Sequence, residues 1–134
     1  MCGLVAMLSK RQFGFNQNEV DSFSQMLFVN QLRGKDGTGI FYNFKKDNFN
    51  NTALKAAVPS SVFVEQTEFD NAISTVFKES KYIVGHNRAG TKGGVAIKNT
   101  HPFREKHITL VHNGTLYKHD YLHPTYESDS KAIC

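Results

Sequence analysis

The chain opens on an unbroken apolar run, Cys2-Gly3-Leu4-Val5-Ala6-Met7-Leu8. Seven such residues without a helix cap predict a buried strand. The period then changes. Between residues 16 and 32, Val20, Phe23, Met26 and Leu27, with Leu32 at the far end, recur at helical spacing and predict one apolar stripe. Asn16 or Asn18 can cap the start of this helix, and Gly34 can end it. Ile40, Tyr42 and Phe44 alternate with smaller or polar residues, which predicts a strand over 39–44. Residues 46–52 are polar and rich in asparagine, as in a loop or hairpin tip. A strand over 54–58 is expected to stop at Pro59. A second helix is expected over 67–80, with Phe69, Ile73, Val76 and Phe77 on one face and Thr67 with Asp70 as a capping pair. Strands over 81–87 and 107–112 follow, separated by glycine-rich turns at 90–94. This order of elements does not alternate strictly. It fits an α+β arrangement, with sheets packed against helices, better than a doubly wound sheet.

Composition narrows the class. With 134 residues, no repeats and no linker, residues 1–134 read as a single domain. Hydrophobic residues at 40% and charged residues at 21% suit a soluble globule, and exclude disordered, collagen-like and disulfide-rich chains. No apolar run approaches the roughly 18 residues of a membrane helix. The opening run has no basic segment before it, which argues against a secretory signal, so a cytoplasmic chain without a membrane partner is expected. The net charge of +4 is spread along the chain, and Lys10-Arg11 and Lys45-Lys46 are its only adjacent basic pairs. Nucleic acid is therefore not an expected partner. His119 and His123 stand four apart, but Pro124 breaks the helix they would need and no third ligand is suggested, so neither metal nor cofactor is expected. Cys2 and Cys134 lie at opposite ends, and a bridge between them has little support in a cytoplasmic chain.

Four places carry candidate chemistry. If the initiator Met1 is removed, Cys2 becomes a nucleophile with its own base. A free thiol has a pKa near 8.5 and an α-amine one near 7.7–8.0, so the amine can take the thiol proton near neutrality. The plain alternative is a small buried apolar residue. His112-Asn113-Gly114 contains a strong turn signal. The Asn113 amide and the Gly114 N–H can also point at one place, as a tetrahedral oxyanion requires. Arg88, at the end of a strand, can hold a carboxylate by a two-pronged contact, the alternative being a surface ion pair. Asp129, within Glu127-Ser128-Asp129-Ser130, can bind an ammonium group, or the segment can cap a helix.

Taken in order, six blocks belong together. Met1-Cys2-Gly3, Arg33-Gly34-Lys35-Asp36-Gly37-Thr38-Gly39, Gly85-His86-Asn87-Arg88-Ala89-Gly90-Thr91, Asn99-Thr100-His101-Pro102-Phe103, His112-Asn113-Gly114 and Ser128-Asp129-Ser130 resemble the class II glutamine amidotransferases. This is the N-terminal-nucleophile glutaminase domain of glucosamine-6-phosphate synthase and amidophosphoribosyltransferase. The resemblance runs from residue 2 to about residue 133. It implies a four-layer α/β/β/α sandwich and hydrolysis of L-glutamine to L-glutamate and ammonia. It implies Cys2 as nucleophile, its freed amine as base, and Asn113 with the Gly114 N–H as oxyanion hole. It further implies Arg88 and Thr91 at the substrate α-carboxylate and Asp129 at the α-amine. His101 would line the pocket, and Arg33 would position the cysteine loop. No cofactor is implied. A separate ammonia-accepting synthase chain or a homo-oligomer is the implied partner.

The chain departs from the family at several points. Arg-Trp-Ala-Thr-His is here Arg88-Ala89-Gly90-Thr91-Lys92, without the bulky aromatic and the pocket histidine. Lys131 stands where an acidic residue is usual, and Lys35 where Pro or Tyr is common. In the family, further strands and helices follow the aspartate block. The sequence here ends at Cys134, so a domain incomplete at its C-terminus relative to the family is expected, whether as a fragment, a shortened relative or one piece of a split protein, with any ammonia-using synthase on a partner chain. Two other readings stand beside the glutaminase. One is a non-catalytic glutamine-binding or protein-interaction module of the same fold, which would not need the thiol. The other is the same chemistry on a different amide, against which the Arg88 and Asp129 pair argues.

Overall fold

A computed structural model describes residues 1–12, 14–43, 51–91 and 93–134. The opening run forms strand β1 (Gly3–Leu8), but only alternate residues are covered. Gly3 and Val5 are buried, whereas Leu4, Ala6 and Leu8 are exposed. The expected fully buried strand is thus corrected to an edge strand with one face packed. The remaining elements are α1 (Gln17–Val29), β2 (Gly37–Asn43), β3 (Asn51–Ala56), α2 (Ser60–Phe63), α3 (Thr67–Glu79), β4 (Tyr82–Arg88), β5 (Phe103–Glu105), β6 (Ile108–Leu110) and α4 (Asp129–Ile133). The predicted position 44 and most of the predicted loop at 46–52 lie outside the described residues. Asn51 and Thr52 begin β3.

Four strands form one antiparallel sheet in the order β1-β4-β2-β3, and β5 pairs with β6 in a second, two-stranded sheet. The arrangement is α+β. Residues of three and three in β5 and β6 are too few for a period to be read, which is why β5 was not expected and β6 is shorter than 107–112.

The helix caps explain where the predicted boundaries moved. Asn16 accepts the Glu19 N–H at 2.9 Å, and the Glu19 carboxylate accepts the Asn16 N–H at 2.7 Å, a reciprocal cap that fixes the start of α1. The helix ends at Val29 and tightens into a 3-10 turn over Asn30–Arg33. That tightening rotates Leu32 off the stripe, and it is 82% exposed. Met26 is also exposed, leaving Val20, Phe23 and Leu27 as the buried face. In α3, Thr67 is the first helical residue and not the cap, so the Thr67–Asp70 pair does not form. Phe69, Ala72 and Val76 are its buried residues, while Phe77 turns outward.

The core lies between these helices and one face of the large sheet. Val5, Ile40, Tyr42 and Ile83 meet Phe23, Leu27, Phe63, Phe69 and Val76 there. Each fully buried large side chain contributes roughly 1.5–3 kcal/mol relative to exposure, which makes this layer the main source of stability.

The opposite face is crossed at one end by segment 99–103. Gly39 makes room for it. A Cβ at Gly39 would stand 2.1 Å from the His101 carbonyl oxygen, closer than any real contact. Gly39→Ala is therefore expected to lower stability by about 1–3 kcal/mol through overpacking. Gly94→Ala, where a Cβ meets nothing within 4 Å, should be nearly neutral. Urea unfolding of both variants checks this, and equal stabilities would contradict it.

Candidate active site

The register of the large sheet brings distant residues to one edge. Gly3 lies opposite Asn87, and Gly37 opposite Arg88. Continued by one residue, the first register sets Cys2 across from Arg88, next to Ala89. The Ala89 N–H donates to Cys2 Sγ at 3.3 Å, and the thiol lies 3.7 Å from the Ala89 carbonyl oxygen. Arg33 donates its Nε–H to the Cys2 carbonyl at 3.0 Å. Asn30 donates to the Leu4 carbonyl at 3.2 Å. The first residues of β1 are thus tethered to the 3-10 turn that follows α1.

Asp36 holds the facing loop. Its N–H donates to the Arg88 carbonyl at 2.9 Å, and its carboxylate accepts the Gly90 N–H at 2.6 Å. Arg88 is 3% exposed, which excludes a surface ion pair. Its guanidinium donates to the Gly93 carbonyl at 2.9 Å and the Gly94 carbonyl at 3.2 Å, folding the following loop around itself.

Asp129 is also buried, at the start of α4. Ser128 precedes it but makes no side-chain cap. Asp129 instead accepts the Leu116 N–H at 2.7 Å and the Ser130 N–H at 2.8 Å. Burial alone pushes its pKa up. The Leu116 and Ser130 N–H groups, the nearby His112 and the Ser130 hydroxyl outweigh burial, and the carboxyl is held below its ordinary range.

Three histidines connect these parts. His112 Nδ1 lies 3.0 Å from Ser130 Oγ, and His86 Nε2 lies 3.1 Å from the His112 carbonyl oxygen. The His86 and His101 rings stack at 3.9 Å, and Phe103 meets His101 edge-on at 4.7 Å. Both ring nitrogens of His101 are buried without a hydrogen-bond partner among the described residues. Burial, followed by the charge of His86, His112, Arg88 and Lys55, pushes the His101 pKa down to about 2. Burial also leads the fall of His86 to about 4, its bond to the His112 carbonyl acting the other way. Both rings are therefore neutral near pH 7.

Cys2, Arg88, Thr91, His101, Asn113, Gly114 and Asp129 all line one cavity of about 280 Å³. Met1 stands at the same cavity and is 85% exposed. Arg33 lies behind Cys2, touching its backbone. Asn113 and Gly114 are exposed in the segment after β6. Sequence reasoning missed Asp36, His86, His112 and Ser130. All four sit inside the blocks already singled out, but their parts depend on contacts between blocks. His123 stacks on Tyr126 at 3.8 Å and His119 lies 3.2 Å from the Tyr126 carbonyl. Among the described residues no three His, Cys, Asp or Glu side chains come together as metal ligands, and no helix is long and apolar enough to cross a membrane. Cys2 and Cys134 are both free thiols.

Comparisons with known proteins address the whole chain. Residues 1–134 match the family model for glutamine amidotransferases class-II. The glutamine–fructose-6-phosphate aminotransferase (isomerizing) of Buchnera aphidicola subsp. Acyrthosiphon pisum (strain APS) is 25% identical over 116 residues, which is 87% of this chain. The chain spans only 17% of that relative's length. Among solved structures, the complex of beta-clamp processivity factor and little finger domain of PolIV aligns at a TM-score of 0.41 and 11% identity, over 68% of this chain and 92% of that one. A likeness that slight carries no argument about this fold.

The neutral histidines set an acid limit. An unfolded histidine takes up a proton near pH 6.5, which buried His86 and His101 refuse until about 4 and about 2. The unfolded state then binds more protons, so stability is present above pH 6.5 and is lost as pH falls below it. Asp129, held below its ordinary 3.8, adds loss in the same direction at lower pH. His101→Phe should flatten the decline between pH 6.5 and 4.5 by removing one of the two rings. Urea unfolding at several pH values measures it, and an unchanged slope would contradict the assignment.

Proposed function

The chain belongs to the class-II glutamine amidotransferases, and from that premise we propose that it hydrolyses L-glutamine to L-glutamate and ammonia, with Cys2 as nucleophile. The observation that carries this reading is the convergence of a thiol, a buried cation and a buried carboxylate on one cavity. Glutamine is a zwitterion with an amide at its far end. Arg88 suits its α-carboxylate and Asp129 its α-ammonium, with Thr91 beside Arg88. Held at that end, the side-chain amide extends toward Cys2.

Chemistry requires loss of Met1, because while Met1 is attached the Cys2 nitrogen is an amide and has no basicity. The freed amine takes the thiol proton, directly or through one water. The thiolate attacks the amide carbon, and its C=O becomes an oxyanion facing the Asn113 amide and the Gly114 N–H. Collapse of that intermediate breaks the C–N bond, the amine returns the proton, and ammonia leaves. Water then attacks the thioester in the same way and releases glutamate and the thiol. Arg33 and Ala89 fix the Cys2 backbone and thiol in front of this site.

The finer fold follows the same reading. Helices cover one face of the large sheet, while the β5–β6 sheet belongs to the opposite side. This supports one half of a four-layer α/β/β/α N-terminal-nucleophile sandwich, over a single glutaminase-like domain. The released ammonia needs an acceptor, for which a synthase chain or domain, or an assembly of several copies, is the fitting partner. Two free thiols accord with a cytoplasmic, reducing setting.

A steady-state assay of glutamate release by the Met1-free chain tests the proposal. Cys2→Ala should abolish turnover. Asn113→Ala should lower kcat by about 10²–10³ with little change in KM, since the oxyanion exists only after attack. Asp129→Asn should raise KM by about 10-fold or more through loss of a charged contact. Glutamine that binds in calorimetry but is never hydrolysed would instead favour the binding-module reading.

A further inference from the structure

One row of residues crosses the large sheet from β1 to β3 as Leu4, His86, Gly39 and Lys55. It lies on the face away from the helices. Gly39 leaves a gap in the row, and the His101 carbonyl enters it. On one side of the gap the His101 ring rests on His86. On the other side stands Lys55, whose stem lies 2.8 Å from where a Gly39 Cβ would be.

The Lys55 ammonium donates to the Thr100 carbonyl at 2.8 Å and to the Pro102 carbonyl at 3.0 Å. These are the carbonyls immediately before and after that of His101. Thr100 and Pro102 are buried and Lys55 is half-buried, so both bonds form at a partly shielded place. The Phe103 ring centroid lies 5.1 Å from the same ammonium, adding an attraction for the cation. A single flexible side chain on β3 therefore grips both ends of the residue that walls the cavity.

We propose that Lys55 is a positioning residue for the substrate cavity, its ammonium clamping the two peptide carbonyls that flank His101 and so fixing the His101 wall. The proposal rests on the glutaminase reading of that cavity. Without the ammonium, two carbonyls lose charge-assisted donors, and segment 100–102 keeps only its ring contacts and the bonds of Thr100 to Ala96 and Ile97 to seat it over Gly39. The His101 ring then moves, the cavity widens, and glutamine is held less well. Cys2 and Ala89 are placed by β1 and β4, which this clamp does not touch, so the chemical step is less affected.

Lys55→Met and Lys55→Arg test this in the Met1-free chain. Lys55→Met should raise KM for glutamine about 10-fold with kcat within about 3-fold, and Lys55→Arg, which keeps a cation with several donors, should restore most of it. Imidazole NMR between pH 4 and 8 gives an independent readout. In the wild type His101 should not titrate in this range. In Lys55→Met it should titrate, because burial is the main cause of its depressed pKa and the Lys55 charge the last-ranked. The other groups facing it, His86, His112 and Arg88, remain in place. If Lys55→Met does not fold, Lys55→Gln carries the same test. An unchanged KM, or Met and Arg variants that behave alike, would overturn the proposal. If the wild type hydrolyses no glutamine, the functional reading fails, and the His101 titration alone decides whether Lys55 is the clamp.

Discussion

Antiparallel pairing of β1 with β4 is the constraint on which the site depends. Gly3 opposite Asn87 brings Cys2 to the end of β4, where its thiol accepts the Ala89 N–H. A slip of one residue would also turn Val5 out of the core and Leu4 into it, so the hydrophobic layer enforces the register. Packing of Val5 against Phe23 and Leu27 and placement of Cys2 are thus the same event. Pairing of β4 with β2 extends it, bringing Asp36 and Gly37 to Arg88 and tying the loop after β4 to the strand beside it.

The cavity wall is built by a different logic. Gly39 and its neighbours provide space, and aromatic rings fill it. His101 enters the row between His86 and Lys55, where water is scarce and a charged imidazole would be costly. The wall is consequently neutral, while Arg88 and Asp129 carry the charge. On the proposed glutaminase reading that division suits an amino acid, whose two charged groups share one carbon while its stem and amide are uncharged.

Local signals in the sequence were a good guide to α1, where one of the two candidate caps, Asn16, is used and Val20, Phe23 and Leu27 of the expected stripe are buried. They were a poorer guide where neighbours decide. Leu32 left the stripe because the chain tightened after Val29, and Phe77 turned outward where Ala72 packed inward. β1 has an apolar outer face that no local pattern distinguishes from a buried one. At the cavity, Cys2, Arg88, Asn113 and Asp129 are each ambiguous alone and were legible as a set only through the order of the six blocks that contain them. Asp36 and Lys55 were not, since each acts on backbone groups more than forty residues away in the chain. A lysine on an outward strand position carries no mark of that task.

The proposed chemistry turns on Cys2, freed of Met1, acting as an activated nucleophile in a cavity shaped for glutamine. Intact-mass spectrometry with a glutamine-mimicking diazoketone that alkylates such a nucleophile tests it most directly. A chain lacking Met1 should gain a single adduct, located at Cys2, blocked by excess glutamine and absent from Cys2→Ala. A processed chain that takes no adduct, or takes it at Cys134 with glutamine giving no protection, would contradict it.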